Sequence, residues 1–226
     1  MSNIPKIIHQ TYKNYHLPNI YQYCQKSIKE LHPEFEYRFY TDDDMYNIIK
    51  NEFKEYFDAF DKLPRMIMKI DMFRYFLMYK YGGLYADMDY LMIKKFNLLN
   101  YDVVIPCNRE NDKNEPICLG NCIFASKPNH PFWKLLIDTL FHIDREKINY
   151  TNDKNIDSNE HGTGPIFVYT MWKKYNQLYH DNTIFIPQRE LFHPITKIDN
   201  NYINNLKEKN CYGMHICTGL WRNNKL

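Results

Sequence analysis

The sequence predicts an α/β fold in which a largely parallel sheet is flanked by helices. Three observations carry that prediction. The first 52 residues alternate strand-like and helix-like patterns at the spacing of parallel-sheet units. Short β-branched or apolar runs recur later in the chain, each too short for a buried helix. A hydrophobic content of 44% over 226 residues is enough for one sizeable core.

The elements follow in order. Ile4-Pro-Lys-Ile-Ile-His-Gln-Thr reads as a buried first strand with His9, Gln10 and Thr11 at its carboxyl end. Residues 21–31 read as a helix, and Glu36-Tyr-Arg-Phe-Tyr alternates as a second strand. Thr41-Asp-Asp-Asp opens another helix, with Thr41 or Asp42 as N-cap and acidic groups at the positive end of the helix dipole. Pro64 starts a helix running to about Tyr81, in which Met66, Ile70, Phe73 and Leu77 mark one apolar face. Gly82-Gly83 ends it, glycine being the residue a left-handed C-cap takes without strain. Residues 101–106, 122–125 and 184–187 read as further short strands. Residues 149–161 are rich in Asn, Asp, Lys and Ser and read as a surface loop. With no repeat and no linker, one domain is expected over 1–226.

Composition excludes several classes of function. Lys and Arg number 29 against 27 Asp and Glu, a formal charge of +2, so no bulk electrostatic case exists for a nucleic-acid partner. No stretch of about 18 apolar residues is present to span a bilayer, so contact with a lipid-linked substrate is expected to be peripheral. The opening has no basic region followed by an apolar run, and a cytoplasmic location with reduced thiols is expected. The six cysteines at 24, 107, 118, 122, 211 and 217 lack close zinc-knuckle spacing and read as buried thiols. There is no Walker-type phosphate loop, no Gly-x-Gly-x-x-Gly and no His-Glu-x-x-His. Trp133 and Trp172 read as core residues.

The chemistry concentrates after Gly82-Gly83, in Leu84-Tyr-Ala-Asp-Met-Asp-Tyr90. Strand alternation puts Tyr85, Asp87 and Asp89 on one face and Leu84, Ala86 and Met88 on the other. Two carboxylates that close repel unless a cation compensates them, and a divalent ion bridging to a diphosphate is the natural compensator. Asp71 and Arg74, one helical turn apart, sit immediately upstream.

Together, Ile4-Pro-Lys-Ile-Ile-His-Gln-Thr-Tyr, Lys69-x-Asp71-x-x-Arg74-Tyr75 and Tyr81-Gly-Gly-Leu-Tyr-Ala-Asp-Met-Asp resemble glycosyltransferase family 32. That group of DxD-motif enzymes includes mannosyltransferases and capsular polysaccharide transferases, and is distantly similar to the clostridial glucosylating toxins. The likeness covers residues 4 to about 130, then resumes at His161-Gly-Thr-Gly-Pro and at His215-Ile-Cys-Thr-Gly-Leu-Trp. In the last segment Ile216, Cys217 and Leu220 replace the family's second His, first Trp and Ser.

The resemblance implies a GT-A fold, with the nucleotide-sugar part over about 1–130 and the acceptor side and closing segment over 131–226. It implies a retaining, Mn2+- or Mg2+-dependent transfer of a sugar from a nucleotide diphosphate to a glycan, lipid-linked or protein acceptor. A UDP-sugar is the first expectation and GDP-mannose the second. His9, Gln10 and Thr11 are expected to meet the nucleotide, and Tyr85 the ribose or base. Asp71 and Arg74 are expected to hold the donor sugar, with Arg74 also near phosphate. Asp89 ligates the metal, Asp87 acts through ribose or a metal-bound water, and His215 is a further metal or phosphate ligand. Asn121 falls at a position near the donor sugar, and Trp221 closes over the nucleotide. The competing reading is a non-catalytic nucleotide-sugar or carbohydrate binder, which donor turnover with metal distinguishes.

Overall fold

The structure, a computed structural model, describes residues 3–142, 162–180, 182–194 and 201–219. The first half of the chain supplies β1 (Ile7–Thr11), α1 (Asn19–Leu31), β2 (Glu36–Tyr40), α2 (Asp42–Glu52), α3 (Lys54–Asp61), α4 (Met66–Lys80), β3 (Gly83–Ala86), β4 (Tyr90–Met92) and β5 (Val103–Val104). Then come β6 (Cys107–Glu110), β7 (Pro116–Leu119), β8 (Ile123–Ser126), α5 (Pro131–His142), α6 (Pro165–Tyr179), β9 (Ile184–Phe185), α7 (Arg189–Phe192), α8 (Tyr202–Glu208) and β10 (Gly213–His215).

Among the described residues a six-stranded sheet runs in the order β2-β1-β3-β8-β5-β9. β1 is parallel to both β2 and β3, while β8 runs antiparallel to its neighbours β3 and β5, and β9 is parallel to β5. One reversed strand in an otherwise parallel sheet is the mostly parallel architecture expected. Strand alternation divides the core between the two faces. Leu84, Ala86, Val104, Ile123 and Ala125 pack with Ile28 of α1 on one side. Tyr85, Val103 and Phe124 pack with Met72, Phe76 and Trp133 on the other. Truncating such a residue, Leu84 for example, costs about 2–5 kcal/mol because the site cannot collapse around the lost atoms.

Several local signals held. Thr41 caps α2 in a reciprocal box with Asp44, which explains the acidic triplet without a metal. Gly82 and Gly83 have φ of +63° and +94°. A β-carbon on Gly83 would lie 2.6 Å from the Ile7 carbonyl oxygen, and one on Gly82 2.5 Å from that of Ser126. The turn is therefore glycine because β3 must slot between β1 and β8 at backbone contact. Trp133 is fully buried, with its indole N–H donating to Ser126 Oγ at 2.7 Å. Five cysteines are buried and Cys217 is exposed.

Other expectations require correction. α4 is not striped: residues 68, 69 and 71–78 are all buried, while Met66 is 42% exposed. The stripe argument assumes solvent along one face, whereas α4 lies against the sheet on one side and beneath α2, α3 and α5 on the other. Its start falls two residues after Pro64. Trp172 is half-buried at the edge of the core. The strand expected through Asp89 ends at Ala86, and residues 87–90 form a turn closed by the Tyr90 N–H donating to the Asp87 carbonyl at 3.0 Å. The chain then continues as β4, antiparallel to β10. The loop expected at 149–161 lies outside the described residues. Among those residues, no helix is long and apolar enough to cross a membrane.

Candidate active site

The turn after β3 places Asp87 and Asp89 at the carboxyl end of the parallel strands, where ligands of open α/β sheets bind. Two anchors fix it. The Asp87 N–H donates to the Cys122 carbonyl at 2.7 Å, and Gln10 Nε2 donates to the Asp87 carbonyl at 3.2 Å. The two carboxylates converge because the chain turns, not because they share a strand face. β10 then delivers His215 opposite Tyr90, with Nε2 2.9 Å from Asp89 Oδ1 and 4.0 Å from Asp87 Oδ2. One ligand atom from each of Asp87, Asp89 and His215 lies within 4.8 Å of the others.

Behind this trio runs a buried ionic network. Arg74 Nη2 is 3.2 Å from Asp71 Oδ1 and Nη1 is 3.1 Å from Asp87 Oδ1, with the guanidinium 4.8 Å over the Tyr85 ring. Nη1 also donates to the Asn121 carbonyl. Asp71 accepts from Asn121 Nδ2 at 2.8 Å and from Thr163 Oγ1 at 2.7 Å. Tyr75 Oη lies 2.7 Å from Asn121 Oδ1 and 2.5 Å from the Thr163 carbonyl oxygen, with its one proton shared between them. Burying these charges is tolerable only because nearly every donor and acceptor is satisfied. The exception is Arg74 Nε, a buried N–H with no hydrogen-bond partner among the described residues.

The electrostatics follow from this packing. Burial pushes Asp71 up to about 6, against the lowering pull of Arg74, Thr163 and Asn121. Burial likewise raises Asp87, against Arg74 and His215. Asp89 goes the other way: burial opposes it, but the His215 hydrogen bond and charge and two Thr218 donors hold it at about 2. Burial works against the His215 cation too, yet neighbouring Cys122 and Asp89 raise it well above the usual imidazole value. The imidazole thus faces the acidic pair, hydrogen-bonded to Asp89.

The sequence-selected residues do not all gather here. Asp71, Arg74, Tyr85, Asp87, Asp89, Asn121 and His215 do. Tyr85 is fully buried and presents only its hydroxyl, donated to Asp87 Oδ1 at 2.8 Å and 3.2 Å from Thr11 Oγ1. Gln10 is also fully buried, clamped by Asp87 and by Tyr37 O–H at 2.8 Å. His9 is buried with one nitrogen on Tyr40 O–H and the other on the Gly82 carbonyl, both at 2.9 Å, so it underpins the glycine turn. Trp221 lies outside the described residues. Sequence reasoning gave no site role to Tyr75 or to Thr218, whose N–H and Oγ1 donate to Asp89 Oδ2 at 3.0 and 2.9 Å. Thr163 was read only as part of the 162–165 segment, on the acceptor side or in a tight turn. Its partner Asp71 is 92 positions away and Thr218's is 129, beyond any local spacing argument.

An acidic pair at the end of a central strand of a mostly parallel sheet, backed by a buried Asp–Arg network, is the arrangement that the GT-A resemblance implies. Residues 18–106 match the family described as the glycosyltransferase sugar-binding region containing DXD motif. It is 32% identical over 176 residues to the mannosyl phosphorylinositol ceramide synthase SUR1 of Saccharomyces cerevisiae, covering 77% of this chain and 43% of that protein. It is 31% identical over 182 residues to inositol phosphoceramide mannosyltransferase 2 of Schizosaccharomyces pombe, covering 77% and 48%. The chain therefore spans less than half the length of these curated relatives. Among solved structures, the PaToxG glycosyltransferase superposes with a TM-score of 0.55 at 15% identity, covering 92% of this chain and 86% of that one, a likeness of fold.

Proposed function

We propose that the chain is a divalent-metal-dependent, retaining hexosyltransferase that moves a sugar from a nucleoside diphosphate to a hydroxyl acceptor. The observation that carries this reading is the convergence of Asp87, Asp89 and His215 within 4.8 Å, with the Asp71–Arg74 pair directly behind. The donor set fits a cation: two carboxylates and one imidazole suit Mn2+ or Mg2+, and each ligand atom comes from a separate backbone anchor. When bound, the ion neutralises the charge that develops on the departing diphosphate.

The chain's own residues account for the rest. Asp71 is a fixed acceptor for sugar hydroxyls, oriented by Asn121 and Thr163. Arg74 ties the sugar-side carboxylate to the metal-side one. Each of these three carboxylates is already engaged by two or more donors, so none of the three stands free as a nucleophile, which favours same-face attack over a covalent intermediate.

The relatives' names give the donor its direction. Both are mannosyl enzymes acting toward inositol phosphoceramide, which moves GDP-mannose ahead of a UDP-sugar for this chain and makes a lipid-borne polyol hydroxyl the leading acceptor. In this reading the donor half is 1–130, and 131–226 supplies the acceptor side. The test is turnover of GDP-mannose and UDP-glucose with Mn2+, alongside Asp89→Ala. Metal-dependent turnover lost in the variant supports the proposal. Metal-dependent nucleotide binding with no turnover of any donor returns the non-catalytic binder.

A further inference from the structure

The catalytic cluster uses only one end of two neighbouring elements. Thr163 immediately precedes the N-terminal turn of α6, and Asn121 follows β7. Farther along the same two elements lies a groove of about 470 Å3 between α6 and the β6–β7 hairpin, lined by Asn111, Pro116, Ile117, Tyr169, Trp172 and Asn176. Neither its position nor its chemistry is used by the site described above.

The Tyr169 and Trp172 rings lie 5.8 Å apart with planes at 31°, and both rest on the core, so they form a fixed apolar floor. Ile117, 48% exposed, lines the other wall. The groove's open amides are those of Asn176 and Gln177, since Asn111 is engaged by Glu115 and by the Lys113 and Glu115 N–H groups. Lys173 Nζ sits 5.6 Å over the Tyr169 ring, leaving Trp172 as the main stacking face. The lining includes one carboxylate, Glu115, and one ammonium, Lys173, so the groove has no net charge to select an ion. An aromatic face flanked by amides suits a neutral, hydroxylated ring: its C–H face stacks and its hydroxyls bond to the amides. Thr163, which bonds Asp71, lies just before α6, and Tyr169 and Trp172 lie within that helix, so one element connects the site and the groove.

We propose that this groove binds the carbohydrate or polyol part of the acceptor. The assignment rests on the transferase reading and adds to it the place and chemical class of the second substrate. It is tested on the full chain with methyl α-mannoside and myo-inositol as probes, by saturation-transfer NMR on the wild type, Trp172→Ala and Ile117→Arg. The arginine variant changes an exposed side chain and fills the groove without removing core. Both variants are expected to weaken probe binding at least tenfold, while the thermal shift with Mn2+ and a nucleoside diphosphate is unchanged. Probe binding that survives Ile117→Arg in a folded sample overturns the assignment. So does absence of binding by the wild type at tens of millimolar, or capture of an alkyl chain such as octanoate instead of either ring. Loss of the nucleotide shift in the wild type would sink the transferase reading separately.

Discussion

The two turns that flank β3 solve opposite problems. At its start, Gly82-Gly83 removes side chains so that three backbones can close on one another. At its end, Asp87-Met88-Asp89 crowds two carboxylates together and depends on Arg74, His215 and Thr218 to hold them. The first turn serves the fold alone. The second crowds like charges that Arg74 and His215 hold and that, in the proposed function, a cation would bind, which is how functional sites depart from the stability optimum. Substitutions at the first should therefore cost stability, and substitutions at the second activity.

The largest effect is expected at the second turn. Asp89→Ala removes a metal ligand and should lower transfer by about 10³-fold or more, by comparison with the loss of other groups that stabilise developing charge. The His215–Thr218 segment loosens as well, since Asp89 is its anchor. Full activity in that variant contradicts the metal assignment. At the first turn, Gly83→Ala combines a positive φ with a 2.6 Å approach to the Ile7 carbonyl and should cost about 3 kcal/mol or more. Thermal denaturation reads this as a Tm drop of roughly 6–12 °C for a chain of this size. An unchanged Tm means that the backbones are not in contact there.

Asp71→Asn is subtler, because the buried carboxylate serves fold and site together. Leaving Arg74 less compensated is expected to destabilise by about 3 kcal/mol. The discriminating readout is a ratio. Affinity for a nucleotide sugar should fall about tenfold more than affinity for the bare nucleoside diphosphate, and equal losses would remove its sugar-binding role.

The smallest effect is a pH dependence seated beneath the glycine turn. Burial depresses His9 to about 3, the backbone bond to Gly82 opposing only in part. The unfolded chain protonates this histidine near 6.5, so its contribution is complete above that pH and is lost as pH falls toward 3. Asp71, raised to about 6, works in the opposite sense: between about 4 and 6 acid favours the folded state through it. Tm measured from pH 7 to 4 should therefore fall less steeply in His9→Gln than in the wild type. Parallel curves would show that His9 is protonated in the fold.

What the sequence revealed divides along the same line. The glycine turn, the Thr41 cap and the β1 and β2 strands were legible because their causes lie within a few residues. The Asp71, Arg74, Asp87 and Asp89 set was legible as a pattern, although its geometry was not: strand alternation was the wrong device, and a turn makes the carboxylates converge. α4 was misread because one apolar stripe describes a helix with solvent on its far side, and residues 71–78 of α4 have none. Thr163, Tyr75 and Thr218 lay inside the segments that carry the family resemblance, but their roles were not legible, since each acts through a partner that only the tertiary fold brings near. His9, chosen for its place at a strand end, serves the fold because β1 turns that side chain toward Tyr40 and Gly82.

The central claim is that Asp87, Asp89 and His215 hold a divalent cation that in turn holds a nucleoside diphosphate. Its most direct test is calorimetric titration of GDP and UDP into the wild type and Asp89→Ala, each with and without Mn2+. The account predicts binding by the wild type only with Mn2+, stronger for GDP, and none by the variant in either condition. Equal binding with and without the metal, or binding that survives in Asp89→Ala, would contradict it.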